Sequence, residues 1–270
     1  LGLNHEQQHQ ELMQTDILHL LSCNPLLPAY DLAFSHQSVN AGEVQWLSFD
    51  EGLHSIGRST DEPGFAFDNE TPKHQRLVQS FQMANRLVSC GEYLSFIQEG
   101  GYDNADLWLS EGRWQVLQNS WQCPLYWLAP GDPRSPSDHW QVFGLNGVQA
   151  LDMQAPVAHL SFYEASAFAQ WAGARLPTEF EWEIASAHNA MRDMHAQVWQ
   201  WTRSAYEPYP GFVPASGAVR EYNGKFMVGQ QVLRGSSLAT SPQHSRHTYR
   251  NFFPAHARWQ FSGLRLAKDI

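Results

Sequence analysis

The sequence lacks the features that mark secreted, membrane-spanning and nucleic-acid-binding proteins. Its three cysteines, Cys23, Cys90 and Cys123, are odd in number and show no paired spacing, which is typical of a reducing compartment, so we expect a cytoplasmic protein. No apolar run approaches the roughly 18 to 20 residues that a membrane span needs, so no membrane partner is expected. Acidic residues outnumber Lys and Arg by 27 to 17 without any basic run, so no nucleic-acid partner is expected either.

The chain does contain enough apolar sequence for a sizeable core. Of its 270 residues, 43% are hydrophobic and 16% are charged, which indicates a globular protein. Residues 3 to about 21 predict one helix, because Leu12 and Leu18 fall at helical spacing and nothing breaks the pattern before the Asn-Pro pair that follows. Residues 25–42 contain two prolines and mixed polarity, which favours a linker.

From residue 43 onwards, short apolar runs are separated by Gly, Pro, Asn and Asp, which is the pattern of short strands. The strand candidates are residues 44–49, 77–83 and 231–233. Helices are predicted at residues 90–99, 161–172 and after Thr178, and the last two begin with a capping box of Ser or Thr followed three residues later by Glu. These elements predict an α+β domain with much irregular structure.

Two histidines near the start of the chain could bind one metal ion. His5 and His9 are four residues apart, so their imidazoles lie on one face of the predicted helix, although this spacing also occurs by chance on helix surfaces. Imidazole suits Zn, Fe, Cu and Ni alike. The sequence does not begin with Met, so we expect a natural start upstream and a third ligand there; His36, His54 and His74 are alternatives.

Several segments together resemble a known enzyme family. The helix that carries His5 and His9 resembles the iron-binding helix of the sulfoxide synthases of ergothioneine biosynthesis. Later segments look like the C-type-lectin-like domain of formylglycine-generating enzymes, namely residues 67–74 (FDNETPKH), 173–183 (GARLPTEFEWE), 232–237 (VLRGSS) and 263–267 (GLRLA). The resemblance implies a remnant helix of a four-helix, metal-binding bundle at residues 1–24, a linker at 25–42 and a formylglycine-generating-enzyme-like domain at 43–270.

The resemblance also implies an activity. Members of the synthase family use O2 and non-haem Fe(II), held by three histidines, to join hercynine to the sulfur of a cysteine derivative as a sulfoxide. Of the three ligands, His5 and His9 match positions in this sequence. Formylglycine-generating enzymes themselves carry a copper-binding cysteine pair late in the domain, and because this chain has no cysteine after Cys123, we do not expect that activity.

Five residues are predicted to bind substrate, three of them by their resemblance to family positions. Gln8 resembles the glutamine that helps to hold the betaine carboxylate of hercynine, and Asn251 resembles the residue that contacts its imidazole. Phe252 stands where an aromatic face can meet the trimethylammonium group by cation–π attraction. We expect Trp201 and Thr202 to line the same pocket.

The sulfur donor and the proton donor are less directly indicated. Relatives that use gamma-glutamylcysteine have an acid and an arginine where this chain has Phe253 and Ala257, so the resemblance implies free cysteine as the donor. A tyrosine supplies the proton in those relatives, and here Tyr206, Tyr209 or a tyrosine upstream of this sequence could replace it; no residue is assigned as catalytic.

Two alternatives stay open at this point. An ovothiol-type or selenoneine-type synthase would act on a related substrate, either histidine itself or a selenosugar. A non-catalytic lectin-like binding module would carry the two histidines only incidentally. Phe252 beside a trimethylated nitrogen favours hercynine over histidine.

Overall fold

The structure, a computed structural model, describes residues 1–34, 41–214 and 223–270. Helix α1 (Gly2–Ser22) opens the chain, which confirms the first predicted helix. Its inner face buries Thr15 and Leu18, and Leu18 packs into a small apolar cluster with Leu27 and Phe143. The assignment of this helix to a bundle remains a prediction.

The remainder of the chain forms the predicted α+β domain. Its helices are α2 (Cys90–Gln98), α3 (Ser110–Asn119), α4 (Phe162–Trp171) and α5 (Glu179–Ser186). Its strands are β1 (Trp46–Phe49), β2 (Gly52–Ile56), β3 (His74–Val78), β4 (Phe81–Ala84), β5 (Trp127–Leu128), β6 (Gln141–Gly144), β7 (Gly147–Ala150), β8 (Trp199–Ala205), β9 (Gln230–Gly235), β10 (Asn251–Pro254), β11 (Ser262–Gly263) and β12 (Ala267–Asp269). None of the helices in the described ranges combines the length and the apolar character that crossing a lipid bilayer requires.

The described strands form four small sheets. Their orders are β1-β4-β12, β10-β9-β8-β11, β2-β3 and β5-β6-β7. In the four-stranded sheet β8, β9 and β10 are antiparallel, and Asn251 pairs with Leu233 while Phe252 pairs with Val232. The strand order places β10 at one edge of this sheet.

Local sequence signals predicted most of the helices but not all of them. The capping boxes of Ser161 with Glu164 and of Thr178 with Glu181 are both present and begin α4 and α5. Helix α3 was not predicted, because its polar sequence buries only Gly112 and Val116. The run at residues 77–83, predicted as one strand, is instead divided between β3 and β4.

The main core is aromatic and lies between α2, α4 and β8. Tyr93, Phe96, Phe168 and Trp201 are almost completely buried within it. Buried ion pairs connect loops to this core. Arg250, immediately before β10, donates to both carboxylate oxygens of Glu179 at 2.7 and 2.9 Å. Because both side chains are no more than 2% exposed, this pair holds the start of β10 in place.

Candidate active site

A cavity of about 610 Å³ lies between α1 and the edge strand β10. The helix contributes His5, Gln8 and Glu11 to its wall, and the strand contributes Asn251 and Phe252. Residues from the two ends of the sequence therefore meet around one space. Four of the residues predicted for the site, His5, Gln8, Asn251 and Phe252, lie on it.

Glu11 attaches α1 to the larger domain. Its carboxylate accepts hydrogen bonds from Trp199 Nε1 at 2.7 Å, from Ser237 Oγ at 2.6 Å and from Thr240 Oγ1 at 2.7 Å. Bonds to an ionised acceptor are stronger than bonds between neutral groups. This cluster therefore sets the position of the histidine-bearing turn relative to the cavity.

The rings of His5 and His9 converge. Their Nε2 atoms are 3.1 Å apart, and the ring planes are inclined by 81°. Two nitrogens at adjacent positions around one ion, each bound at about 2.0 to 2.1 Å, are separated by about 3 Å. The pair therefore fits two ligands of one metal ion, with His5 at the cavity wall and His9 beside it.

The described residues supply no third ligand. Across the ranges 1–34, 41–214 and 223–270, no group of three His, Cys, Asp or Glu side chains is placed to hold a metal ion. His54 and His74 belong to the β2-β3 hairpin and do not line the cavity, so neither completes the site. His36 lies outside the described residues.

Phe252 and Asn251 line the cavity from β10. The Phe252 ring stacks on Tyr206, with ring centroids 4.1 Å apart and planes inclined by 10°. Phe226 adds a second ring at 5.7 Å. The side-chain oxygen of Asn251 accepts the backbone N–H of Phe252 at 2.9 Å, which fixes the orientation of the amide. The wall thus combines an aromatic surface with a held amide.

Trp201 and Thr202 are not brought to the cavity. Both are fully buried. Trp201 Nε1 donates to the backbone oxygen of Leu160, and Thr202 Oγ1 donates to that of Val232, each at 2.8 Å. They are core residues, and the lining position that was predicted for them is occupied by Trp199 instead.

The two candidate tyrosines differ in their relation to the cavity. Tyr206 accepts a hydrogen bond from Asn69 Nδ2 at 2.8 Å, and Asn69 lines the cavity. Tyr209 donates to Glu179 at 3.2 Å and packs against Arg250. Burial raises the pKa of both hydroxyls above the ordinary value, so both are protonated at neutral pH.

Two of the three cysteines, Cys90 and Cys123, are poorly suited to thiolate chemistry. Burial raises the pKa of Cys90 to about 12 and that of Cys123 to about 11. Because the thiolate is the form that binds metals and attacks as a nucleophile, neither residue is activated for these roles. Neither lines the cavity.

Most of the other lining residues were not predicted from the sequence, and Trp199, His244 and Tyr249 are among them. His244 and Tyr249 are buried in a loop before β10, and no motif distinguishes them. The only sequence signal for Trp199 is that it lies two residues before Trp201, the spacing of side chains on one face of a strand.

Known proteins resemble this chain in sequence and in fold. The Sulfatase-modifying factor enzyme 1-like domain model matches residues 36–192 and 188–270. Hercynine oxygenase from Mycobacterium tuberculosis is 32% identical over 99% of this chain and 70% of that protein. The hercynine oxygenase from Mycolicibacterium smegmatis is 29% identical over 100% of this chain and 71% of that protein.

Two further likenesses are more distant. Ergothioneine biosynthesis protein 1 from Schizosaccharomyces pombe is 26% identical over 84% of this chain and 31% of that protein. The structure of PvdO from Pseudomonas aeruginosa has a TM-score of 0.55 at 16% identity, covering 85% of this chain and 99% of PvdO, which shows the fold alone. The whole-chain matches confirm the resemblance seen in the motifs. This chain therefore belongs to the family of the hercynine oxygenases, and its larger part is a domain of the sulfatase-modifying factor enzyme 1 type.

Proposed function

We propose that this protein is a sulfoxide synthase of ergothioneine biosynthesis that uses non-haem Fe(II) and O2 to join hercynine to cysteine. The observation that carries the proposal is the 3.1 Å approach of the His5 and His9 Nε2 atoms beside a cavity whose lining includes Asn251 and Phe252. The names of the relatives, hercynine oxygenase and ergothioneine biosynthesis protein, support the substrate and the pathway.

His5 and His9 would hold iron through their Nε2 atoms, together with a third imidazole from outside the described residues. Fe(II) held there would supply the activation of O2 and an attraction for the sulfur donor. Because imidazole ligands add no negative charge, they would leave the positive charge of such an ion uncompensated, which would favour binding of a thiolate.

The other lining residues would bind hercynine along its length. The Gln8 amide would meet the carboxylate, and the Phe252 ring would meet the trimethylammonium group, an attraction of about 0.5 to 2 kcal/mol. The Asn251 amide would orient the imidazole. Of the two candidate proton donors, Tyr206 is better placed, because it contacts the lining residue Phe252 directly.

Free cysteine is the proposed sulfur donor. At the two positions where relatives carry an acid and an arginine for gamma-glutamylcysteine, this chain has Phe253, which lines the cavity, and Ala257, which is fully buried. An apolar ring and a methyl group offer no counter-charge to a gamma-glutamyl arm, so these two positions would not stabilise the charges of the longer donor.

The experiment that tests the proposal measures O2 consumption and sulfoxide formation by full-length protein with Fe(II), hercynine and cysteine. We expect turnover with these substrates, less with gamma-glutamylcysteine or histidine, and none in the His5→Ala/His9→Ala variant. His19→Ala is the matched control, since it removes an imidazole of the same helix that contacts the Tyr126 hydroxyl at 3.2 Å and does not line the cavity. Preferred turnover of histidine would indicate an ovothiol-type enzyme. If neither sulfur donor gives a product and the double variant has an unchanged metal content, the protein would instead be a non-catalytic binding module.

A further inference from the structure

The two glutamines between His5 and His9 are both tied to one buried pair of side chains in the larger domain. Gln8 Nε2 donates to the hydroxyl of Tyr249 at 2.7 Å. The same hydroxyl lies 3.3 Å from His244 Nε2, and His244 Nδ1 lies 3.0 Å from Gln7 Oε1. These hydrogen bonds run from Gln8 through Tyr249 and His244 to Gln7, so they form a circuit that begins and ends on α1.

The Gln7 amide oxygen, which can only accept, determines which atom donates in each hydrogen bond of this circuit. The amide oxygen of Gln7 can only accept, so His244 Nδ1 carries the hydrogen. Burial and the neighbouring charge of Arg246 lower the pKa of His244, so the ring is neutral near pH 7 and its Nε2 accepts. The hydroxyl of Tyr249 therefore donates to His244 and presents only lone pairs to Gln8.

This polarity determines which end of the Gln8 amide faces Tyr249. An amide turned by 180° would set its carbonyl oxygen against the lone pairs of the phenol oxygen, and two acceptors at 2.7 Å repel each other. Only the NH2 group can occupy that position while His244 takes the phenol hydrogen. His244 thus controls the orientation of Gln8 without touching it.

The circuit is also rigid. Tyr249 and His244 are 4% and 2% exposed. The Tyr249 ring packs against Trp199, with centroids 5.5 Å apart, and against Phe67 at 5.6 Å. The hydroxyl therefore cannot follow Gln8 if the amide moves.

We propose that Tyr249 and His244 are positioning residues that hold the Gln8 amide in one orientation on the cavity wall and thereby strengthen binding of a substrate carboxylate. The inference rests on the proposed function for the identity of the ligand, hercynine. A fixed Gln8 amide loses no rotational freedom when the carboxylate binds, whereas a free amide does. A free amide would also present its oxygen to the anion in half of its orientations.

The test is hercynine binding by titration calorimetry under anaerobic conditions, which does not depend on turnover. In full-length protein, Tyr249→Phe keeps the packed ring and removes the hydroxyl, and we expect the Kd to rise roughly fivefold, the value of one buried hydrogen bond. His244→Leu should act in the same direction. His244→Gln, whose amide oxygen can accept the phenol hydrogen, should retain most of the affinity. Thermal melts of each variant check that the fold is intact.

Two comparisons separate positioning from general damage. In a Gln8→Ala background, Tyr249→Phe should have no further effect on the Kd. N,N,N-trimethylhistamine, which lacks the carboxylate, should bind the wild type and Tyr249→Phe equally. Additive losses, an equal loss for trimethylhistamine, or an unchanged Kd in Tyr249→Phe would overturn the inference. If wild-type protein binds hercynine but forms no sulfoxide, the proposed function is refuted, and the binding data still test the positioning role of Tyr249 and His244. If wild-type protein does not bind hercynine, both proposals are refuted.

Discussion

Removing the Glu11 carboxylate should weaken the docking of the histidine-bearing helix α1 on the larger domain. Glu11→Ala leaves three donors without their acceptor. Two of them, Trp199 and Ser237, are no more than 2% exposed, so water cannot readily replace the lost partner. An unsatisfied buried donor costs about 1 to 3 kcal/mol, whereas the Thr240 hydroxyl is partly exposed and can turn to water.

Two such donors give an expected loss of about 2 to 6 kcal/mol in the free energy of unfolding. Glu11→Gln should lose less, about 1 to 2 kcal/mol, because its amide keeps one acceptor oxygen and turns an N–H toward the remaining donors. The assay is urea denaturation followed by tryptophan fluorescence, together with metal affinity and hercynine affinity. Both affinities should fall in Glu11→Ala, because His5 and Gln8 lie one to two turns away on the same helix.

The matched control is Asp16→Asn, which removes the same charge from an exposed position on α1. We expect a change below about 0.5 kcal/mol for this variant. If Glu11→Ala destabilised the protein no more than Asp16→Asn does, the three hydrogen bonds would not be what docks the helix, and the account of the site geometry would be wrong.

Two further predictions concern substrate selection and pH. Phe252→Leu should preserve apolar volume but remove the aromatic face, so hercynine affinity should fall about threefold to tenfold while histidine affinity stays unchanged; equal losses in competition titrations would contradict a cation–π role. Burial lowers the pKa of His159 to about 3. Below about pH 6.5 the His159 imidazole binds a proton in the unfolded chain but not in the folded protein. The free energy of unfolding is therefore unaffected by this group above pH 6.5, and it falls by up to about 1.4 kcal/mol per pH unit as the pH decreases toward 3. The test is His159→Asn, because asparagine tolerates the left-handed backbone at this position (φ 62°). In this variant the free energy of unfolding, measured with urea, should depend less on pH between pH 6 and 5. An unchanged pH dependence would show that His159 does not titrate as stated.

Features encoded over a few neighbouring residues were determined by the sequence alone. Helix α1 follows from apolar spacing and the absence of a breaker, and the convergence of His5 and His9 follows from the pitch of a helix. The starts of α4 and α5 follow from side chains that bond to backbone groups three residues away. The order of the family motifs indicated the domain that the structure and the relatives confirm.

Only the tertiary structure decided which residues face the cavity. Trp199 and Trp201 share one side of β8 by alternation, yet only Trp199 reaches the wall, because Glu11 accepts its indole N–H from 188 residues away in the sequence. Tyr249 meets Gln8 across 241 residues. Local periodicity carries no information about such pairings, since they depend on how α1 packs against the end of a sheet assembled from the other end of the chain.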